Sequence, residues 1–238
     1  MKKILLSAAA LALLAGAASA DTVRLGTEGA YPPYNYIDDN GEVAGFERVL
    51  GDELCKRAEL TCEWVTNDWD SIIPNLLSGN YDAIIAGMSI TDERMEKVDF
   101  SQNYTPPSAS AYAALSEEAD LEGGVVAAQA GTIQAAHVVE TGATLLEFPN
   151  FEDSVAAVTS GEADAVMADK DTLVPVVGEG TLMFVGDDVP LGGGIGMAFR
   201  KSDPELRGKF DAAIQSMKDD GSLNALIKEW LEDSPIFE

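Results

Sequence analysis

Short apolar runs alternate with stretches of helical spacing along almost the whole chain, and this alternation limits the fold more than any single motif. Val23-Arg24-Leu25-Gly26-Thr27 reads as a strand, and Phe46, Val49, Leu50, Leu54 and Ala58 mark a helix over 46–58. A strand over 62–65 follows, then a helix over 70–77 that accepts Pro74 only in its first turn. A strand over 83–86 and a short helix over 92–98 close the first half. The second half repeats the order: strand 125–128, helix 133–141, strand 145–148, helix 152–159, strand 165–168. A strand over 195–199 and helices over 204–219 and 223–231, broken at Gly221, end the chain. Such an order predicts an α/β fold with mainly parallel sheets covered by helices.

A weak internal repeat divides the pattern in two. Ser78-Gly79-Asn80-Tyr81-Asp82-Ala83-Ile84-Ile85-Ala86-Gly87 echoes Ser160-Gly161-Glu162-Ala163-Asp164-Ala165-Val166-Met167-Ala168-Asp169. Each reads as a helix end, a glycine in the left-handed stop position, a turn and a strand. The echo fits either two similar α/β lobes or two ordinary αβ connections. Thr105-Pro106-Pro107-Ser108-Ala109-Ser110 is a candidate crossing between lobes, and 190–196, with four glycines, a candidate return.

Residues 1–20, MKKILLSAAALALLAGAASA, read as a secretory signal peptide: two lysines, an apolar run too short to span a bilayer, and a small-x-small cleavage site. No cysteine follows that site, so no lipid anchor is expected. The mature chain of about 218 residues suffices for one large domain or two small lobes. Over the full sequence, 41 Asp and Glu face 15 Lys and Arg, a formal charge of -26. That balance argues against nucleic acid and anionic membrane surfaces as partners. An apolar fraction of 46% argues against disorder as its explanation. One His and two Cys leave little material for zinc, haem or an iron–sulfur cluster, so no metal or other cofactor is expected. Cys55 and Cys62, the only cysteines of an exported chain, read as a disulfide closing a helix-to-strand connection. Loop entropy gives such a bridge roughly 2.5 kcal/mol.

In open α/β sheets, ligands bind beyond the carboxyl ends of the strands. That rule selects Glu28, Tyr31 and Tyr34 after the first strand; Gly87, Ser89 and Arg94 after 83–86; Gly131 and Thr132 after 125–128; and Asp169 after 165–168. Arg94 is suited to grip a carboxylate with two parallel bonds, or else pairs with Glu93 or Glu96 on the surface. Free N–H groups around Thr132 would favour an anion. Asp169 either receives an ammonium group or caps the next helix; Ser89 either offers a hydroxyl or starts a helix; Glu28 either faces a ligand or accepts turn N–H groups. Tyr31 and Trp69 are walls for an alkyl or cationic group, or core residues. His137, on an apolar-rich helix, reads as packed or surface rather than catalytic.

With these residues in place, the chain resembles the periplasmic amino-acid-binding proteins of ABC importers, bacterial solute-binding protein family 3. The resemblance covers essentially the whole mature chain. It rests on Gly26-Thr27-Glu28-Gly29-Ala30-Tyr31-Pro32-Pro33-Tyr34, Gly45-Phe46-Glu47, Leu54-Cys55-Lys56-Arg57 with Cys62, Asp70-Ser71-Ile72-Ile73-Pro74-Asn75-Leu76, Ser89-Ile90-Thr91-Asp92-Glu93-Arg94, Gly131-Thr132 and Asp169. It implies the type II periplasmic-binding-protein fold, with lobe 1 over 21–108 and 199–238, lobe 2 over 109–198, and a ligand cleft between them. Arg94 would hold an α-carboxylate and Asp169 an α-ammonium. Ser89, Thr132, Gln134 and backbone groups near Ala86 and Gly87 would complete main-chain recognition, and Glu28, Tyr31 and Trp69 would meet the ligand side chain.

Two positions depart from some basic amino-acid binders, which carry Ser in place of Ala86 and Asp in place of Glu28. The resemblance favours arginine, lysine or ornithine, with a neutral polar amino acid or an opine next. It further implies a periplasmic monomer that closes on its ligand, catalyses nothing and docks on an inner-membrane ABC permease. The competing expectation is a secreted enzyme on the same fold, similar to a cyclohexadienyl dehydratase, using Glu28, Asp169 or Lys170 for acid–base chemistry.

Overall fold

A computed structural model describes residues 22–231 and 234–238. The expected signal peptide lies outside the described residues. The first lobe opens with β1 (Val23–Thr27) and a small antiparallel sheet of β2 (Ala30–Tyr31), β3 (Asn35–Ile37) and β4 (Val43–Ala44). Then come α1 (Phe46–Arg57), β5 (Cys62–Thr66), a 3-10 turn over Trp69–Ser71 that leads into α2 (Ile72–Leu77), β6 (Ala83–Ile84), the one-turn α3 (Asp92–Met95) and β7 (Asp99–Thr105). The second lobe holds β8 (Ala109–Ala114), β9 (Val125–Gln129), α4 (Ile133–Thr141), β10 (Thr144–Phe148), α5 (Phe151–Thr159), β11 (Ala165–Asp169), α6 (Lys170–Gly178) and β12 (Met183–Pro190). The chain then returns through β13 (Ile195–Phe199), α7 (Pro204–Asp219) and α8 (Ser222–Trp230), the last two packing with α1 beside the first sheet.

The two main sheets have the same plan. One runs β5-β1-β6-β13-β7 and the other β10-β9-β11-β8-β12. In each, three neighbouring strands are parallel, and a single reversed strand, β13 or β8, pairs antiparallel on both sides. The sequence offers 105–110 as the crossing and no strand on either side of it. In the structure β7 and β8 both lie there, and only Pro106–Ser108 separates them.

β13 hydrogen-bonds to β6 and β7, so it belongs to the first sheet. The expected division at 198/199 therefore falls inside a strand, and the return crossing precedes Ile195. The glycine run explains why. Gly192 and Gly194 have φ of +72° and +89°, where side chains are disfavoured. A Cβ on Gly194 would stand 2.5 Å from the Thr105 carbonyl oxygen on the outgoing strand.

Local chemistry sets the element ends. Phe46, Leu50 and Leu54 form one fully buried stripe on α1. The Cys55–Cys62 disulfide links that helix to β5, as expected. Thr132 caps α4 through the Ala135 N–H, and Asn150 caps α5 through the Asp153 N–H. Gly79 and Gly161 take the left-handed conformation that stops α2 and α5, as the repeat predicts.

Candidate functional site

The carboxyl ends of β1 and β6 face those of β9 and β11 across a small cavity. Glu28, Tyr31, Trp69, Ala86, Gly87, Ser89 and Arg94 line it from the first lobe, and Gln129, Thr132, Ile133, Gln134 and Asp169 from the second. Ten of the positions expected from the sequence thus lie on its wall, whereas Tyr34 and Gly131, which the strand-end rule also selects, do not line it, and Tyr34 is buried against Asp171 instead. His137 is half-buried on α4 and does not line it. Among the described residues, no cluster of His, Cys, Asp and Glu is placed to hold a metal ion.

Arg94 sits in α3, whose first turn is capped by the Thr91 hydroxyl, so Ser89 has no capping part. The guanidinium forms no ion pair with an acidic side chain among the described residues; Glu93 pairs with Lys97 instead. Its Nη1 donates to the Ser89 carbonyl (2.9 Å) and its Nη2 to the Gly131 carbonyl (3.3 Å) across the cleft. Its Cζ lies 5.3 Å from the Trp69 ring centroid. Burial lowers its pKa, which marks a cation short of a counter-charge.

Asp169 ends β11 but does not cap α6. Its Oδ2 accepts from Tyr31 Oη (2.7 Å) and its Oδ1 from Gln134 Nε2 (3.0 Å), which also bonds Ser110 Oγ (2.8 Å). All these donors are neutral. Burial therefore raises its pKa to about 6, against the lowering effect of Tyr31. Tyr31 is buried yet also a wall: its ring meets Phe151 of the second lobe edge-on at 5.5 Å.

Also on the cavity wall, Glu28 Oε1 accepts from Gln129 Nε2 (2.6 Å), so its carboxylate is turned toward the second lobe rather than a turn. Burial raises its pKa to about 7, and the Gln129 bond offsets only part of that. A carboxyl poised this way on the same cavity wall as Tyr31 and Trp69 gains most from a cation brought to it.

Two expected contacts are engaged otherwise. The Gly87 N–H donates to Glu47 Oε1 (2.6 Å) and is therefore not free for a ligand. The Thr132 hydroxyl donates to the Gln129 carbonyl (2.7 Å) and accepts from Ala135 N–H (3.1 Å), so it is occupied as a cap. The first N–H groups of α4 lack partners within the helix and are what this end offers an anion. Sequence reasoning missed Gln129, Ile133 and Glu47. Gln129 lay one residue beyond the expected end of its strand. Glu47 was visible in Gly45-Phe46-Glu47, but nothing there showed a fully buried carboxylate accepting from Asn35, Tyr104 and Gly87.

The pattern of the bacterial extracellular solute-binding proteins, family 3, matches residues 23–233. The chain belongs to that family. A solved structure of a periplasmic His/Glu/Gln/Arg/opine family-binding protein from Silicibacter pomeroyi, in complex with lysine, is 70% identical. It covers 91% of this chain and 100% of its own, with a TM-score of 0.89. The L-arginine-binding protein of Pseudomonas aeruginosa is 34% identical over 93% of each chain. The lysine/arginine/ornithine-binding periplasmic protein of Escherichia coli is 31% identical over 98% of each. This family member thus has the two-lobed type II fold, and these three relatives are named as binding proteins.

Proposed function

We propose that this solute-binding protein captures a cationic L-amino acid (lysine, arginine or ornithine) between its lobes, in the periplasm, and presents it to an inner-membrane ABC permease. The observation that carries the reading is a pair of unmatched charges in one cavity. Arg94, from the first lobe, donates only to carbonyls, and Asp169, from the second, accepts only from neutral donors. An amino-acid zwitterion supplies the missing partner of each. The α-carboxylate meets Arg94 and the N–H groups that open α4; the α-ammonium meets Asp169. The side chain then lies between Tyr31 and Trp69 with its charged end at Glu28 and Gln129. The lysine in the 70% identical relative supports the choice of charge.

Ligand added to ligand-stripped protein raises the thermal midpoint in proportion to RT ln(1 + [L]/Kd). The expected order is lysine, arginine and ornithine first, glutamine weaker, and cyclohexadienyl acids silent. A shift with a cyclohexadienyl acid accompanied by product would replace this reading with the dehydratase one. A shift with neutral amino acids alone would move Glu28 from charge selector to hydrogen-bond partner.

A further inference from the structure

A second link between the lobes lies outside the cavity. Asp171, in the first turn of α6, is only 5% exposed and has no cationic partner among the described residues; its neighbour Lys170 turns to Asp188 at 2.6 Å. Its Oδ2 instead accepts two hydroxyls, from Tyr34 (3.0 Å) and Ser234 (2.6 Å). Both donors come from the first lobe. Tyr34, 1% exposed, sits between β2 and β3. Ser234 is in the C-terminal tail, which reciprocal bonds between Asn224 and Phe237 (2.8 and 3.0 Å) tie to α8.

A carboxylate taken out of water needs its hydrogen bonds replaced. Here the replacements sit on the opposite lobe, so they are in place only when the lobes meet. Hydroxyl bonds to an ionised acceptor are the stronger kind, and leaving such an acceptor short of a donor costs more than a neutral bond returns.

We propose that Asp171 is a positioning residue for lobe closure: clasped by Tyr34 and Ser234, it sets the open–closed balance, and so the affinity for every ligand alike, without touching one. The clasp rests on the capture function proposed above. A ligand shifts such a balance only by its differential affinity for the two states, so a change in the balance itself scales all affinities together.

The test uses dyes on Val49→Cys in α1 and Val139→Cys in α4, both exposed and on opposite lobes, to read the interlobe distance with and without lysine. Tyr34→Phe removes one oxygen. It is expected to lower the closed fraction and weaken lysine, arginine and glutamine by one common factor of about tenfold. Ser234→Ala, in the tail, should act in the same direction and less, and serves if Tyr34→Phe fails to fold. Adding Asp171→Val to Tyr34→Phe removes the stranded carboxylate and should recover part of the loss, which a merely structural defect would not. An unchanged distance and unchanged affinities, or a loss confined to one ligand, would overturn the proposal. If the parent protein binds none of these amino acids but Tyr34→Phe still opens it, the capture reading fails and the clasp stands. If the parent binds and the variant matches it in both readouts, the clasp fails alone.

Discussion

The two lobes share one αβ connection and secure it differently. In each, the aspartate ahead of the strand accepts an N–H from the first two residues of the neighbouring strand: Asp82 from Arg24 N–H (3.0 Å), Asp164 from Val125 N–H (2.8 Å). Each returns its own N–H to the carbonyl of that residue at 2.8 Å. In the first lobe the side chains of Arg24 and Arg200 also close on Asp82. Asp164 is exposed and pairs with no arginine among the described residues. The difference is general. Between residues 109 and 194 the chain has one Lys or Arg, Lys170, and its bond to Asp188 is the only ion pair of that lobe among the described residues. The second lobe relies on small side chains packed flat in β8 and β9, where Ala111, Ala113, Ala114, Ala127 and Ala128 are all buried.

The same division reaches the cavity. The cation-bearing lobe supplies Arg94, and the cation-poor lobe supplies Asp169. On the capture reading proposed above, a zwitterion would be gripped at opposite ends by opposite lobes, and closure would be the step at which both charges are satisfied, coupling ligand charge to lobe motion.

The largest expected effect breaks that division at its cation. Arg94→Ala leaves the α-carboxylate buried without its partner. Titration calorimetry should show at least a hundredfold loss for every amino acid, about 3 kcal/mol, with the unliganded thermal midpoint little changed. Losses that differ widely among amino acids would place the carboxylate elsewhere. Next come the paired aspartates. Asp82→Ala strands two arginines and should cost about 2 kcal/mol in denaturant unfolding, whereas Asp164→Ala removes one exposed bond and should cost under about 1 kcal/mol. Equal losses would mean that the arginines add nothing to the first lobe. Glu28→Gln sharpens the comparison at the side-chain end. Lysine should weaken about 10- to 100-fold and glutamine hardly at all. Parallel losses would make Glu28 a shape residue and not a charge selector.

Much of this arrangement was legible in the residues, because one geometric rule, ligands beyond the carboxyl ends of strands, reaches Glu28, Arg94, Thr132 and Asp169 without coordinates. It fails where a strand end is misjudged by one residue, as at Gln129. It is also silent on polar groups that meet only through tertiary packing. Asp171 follows Asp169 and Lys170, and such a charged run reads as a solvated helix start. Its burial depends on Tyr34 and Ser234, far away in the chain. Ala109–Ala114 hides a central strand because five small residues and one tyrosine lack the β-branched pattern that marks strands. Burial on both faces, not intrinsic preference, makes it one.

The smallest expected effect is a pH dependence that distinguishes the two carboxyls of the cavity. Burial holds Glu28 near 7 and Asp169 near 6, both above ordinary carboxyl values. A cationic side chain beside Glu28 favours the ionised form, so below about pH 7 binding of lysine must expel a proton from it. Affinity for lysine should therefore rise with pH up to about 7 and level off above. Glutamine, with no charge at that end, has no such requirement. Both ligands carry the α-ammonium, so the Asp169 proton affects both equally and only below about pH 6. The ratio of lysine to glutamine affinity should accordingly fall about tenfold between pH 8 and pH 6, and Glu28→Gln should abolish that fall. A ratio that stays flat over this range in the parent protein would mean that lysine leaves Glu28 protonated, and the charge selection would then belong to the aromatic walls of Tyr31 and Trp69.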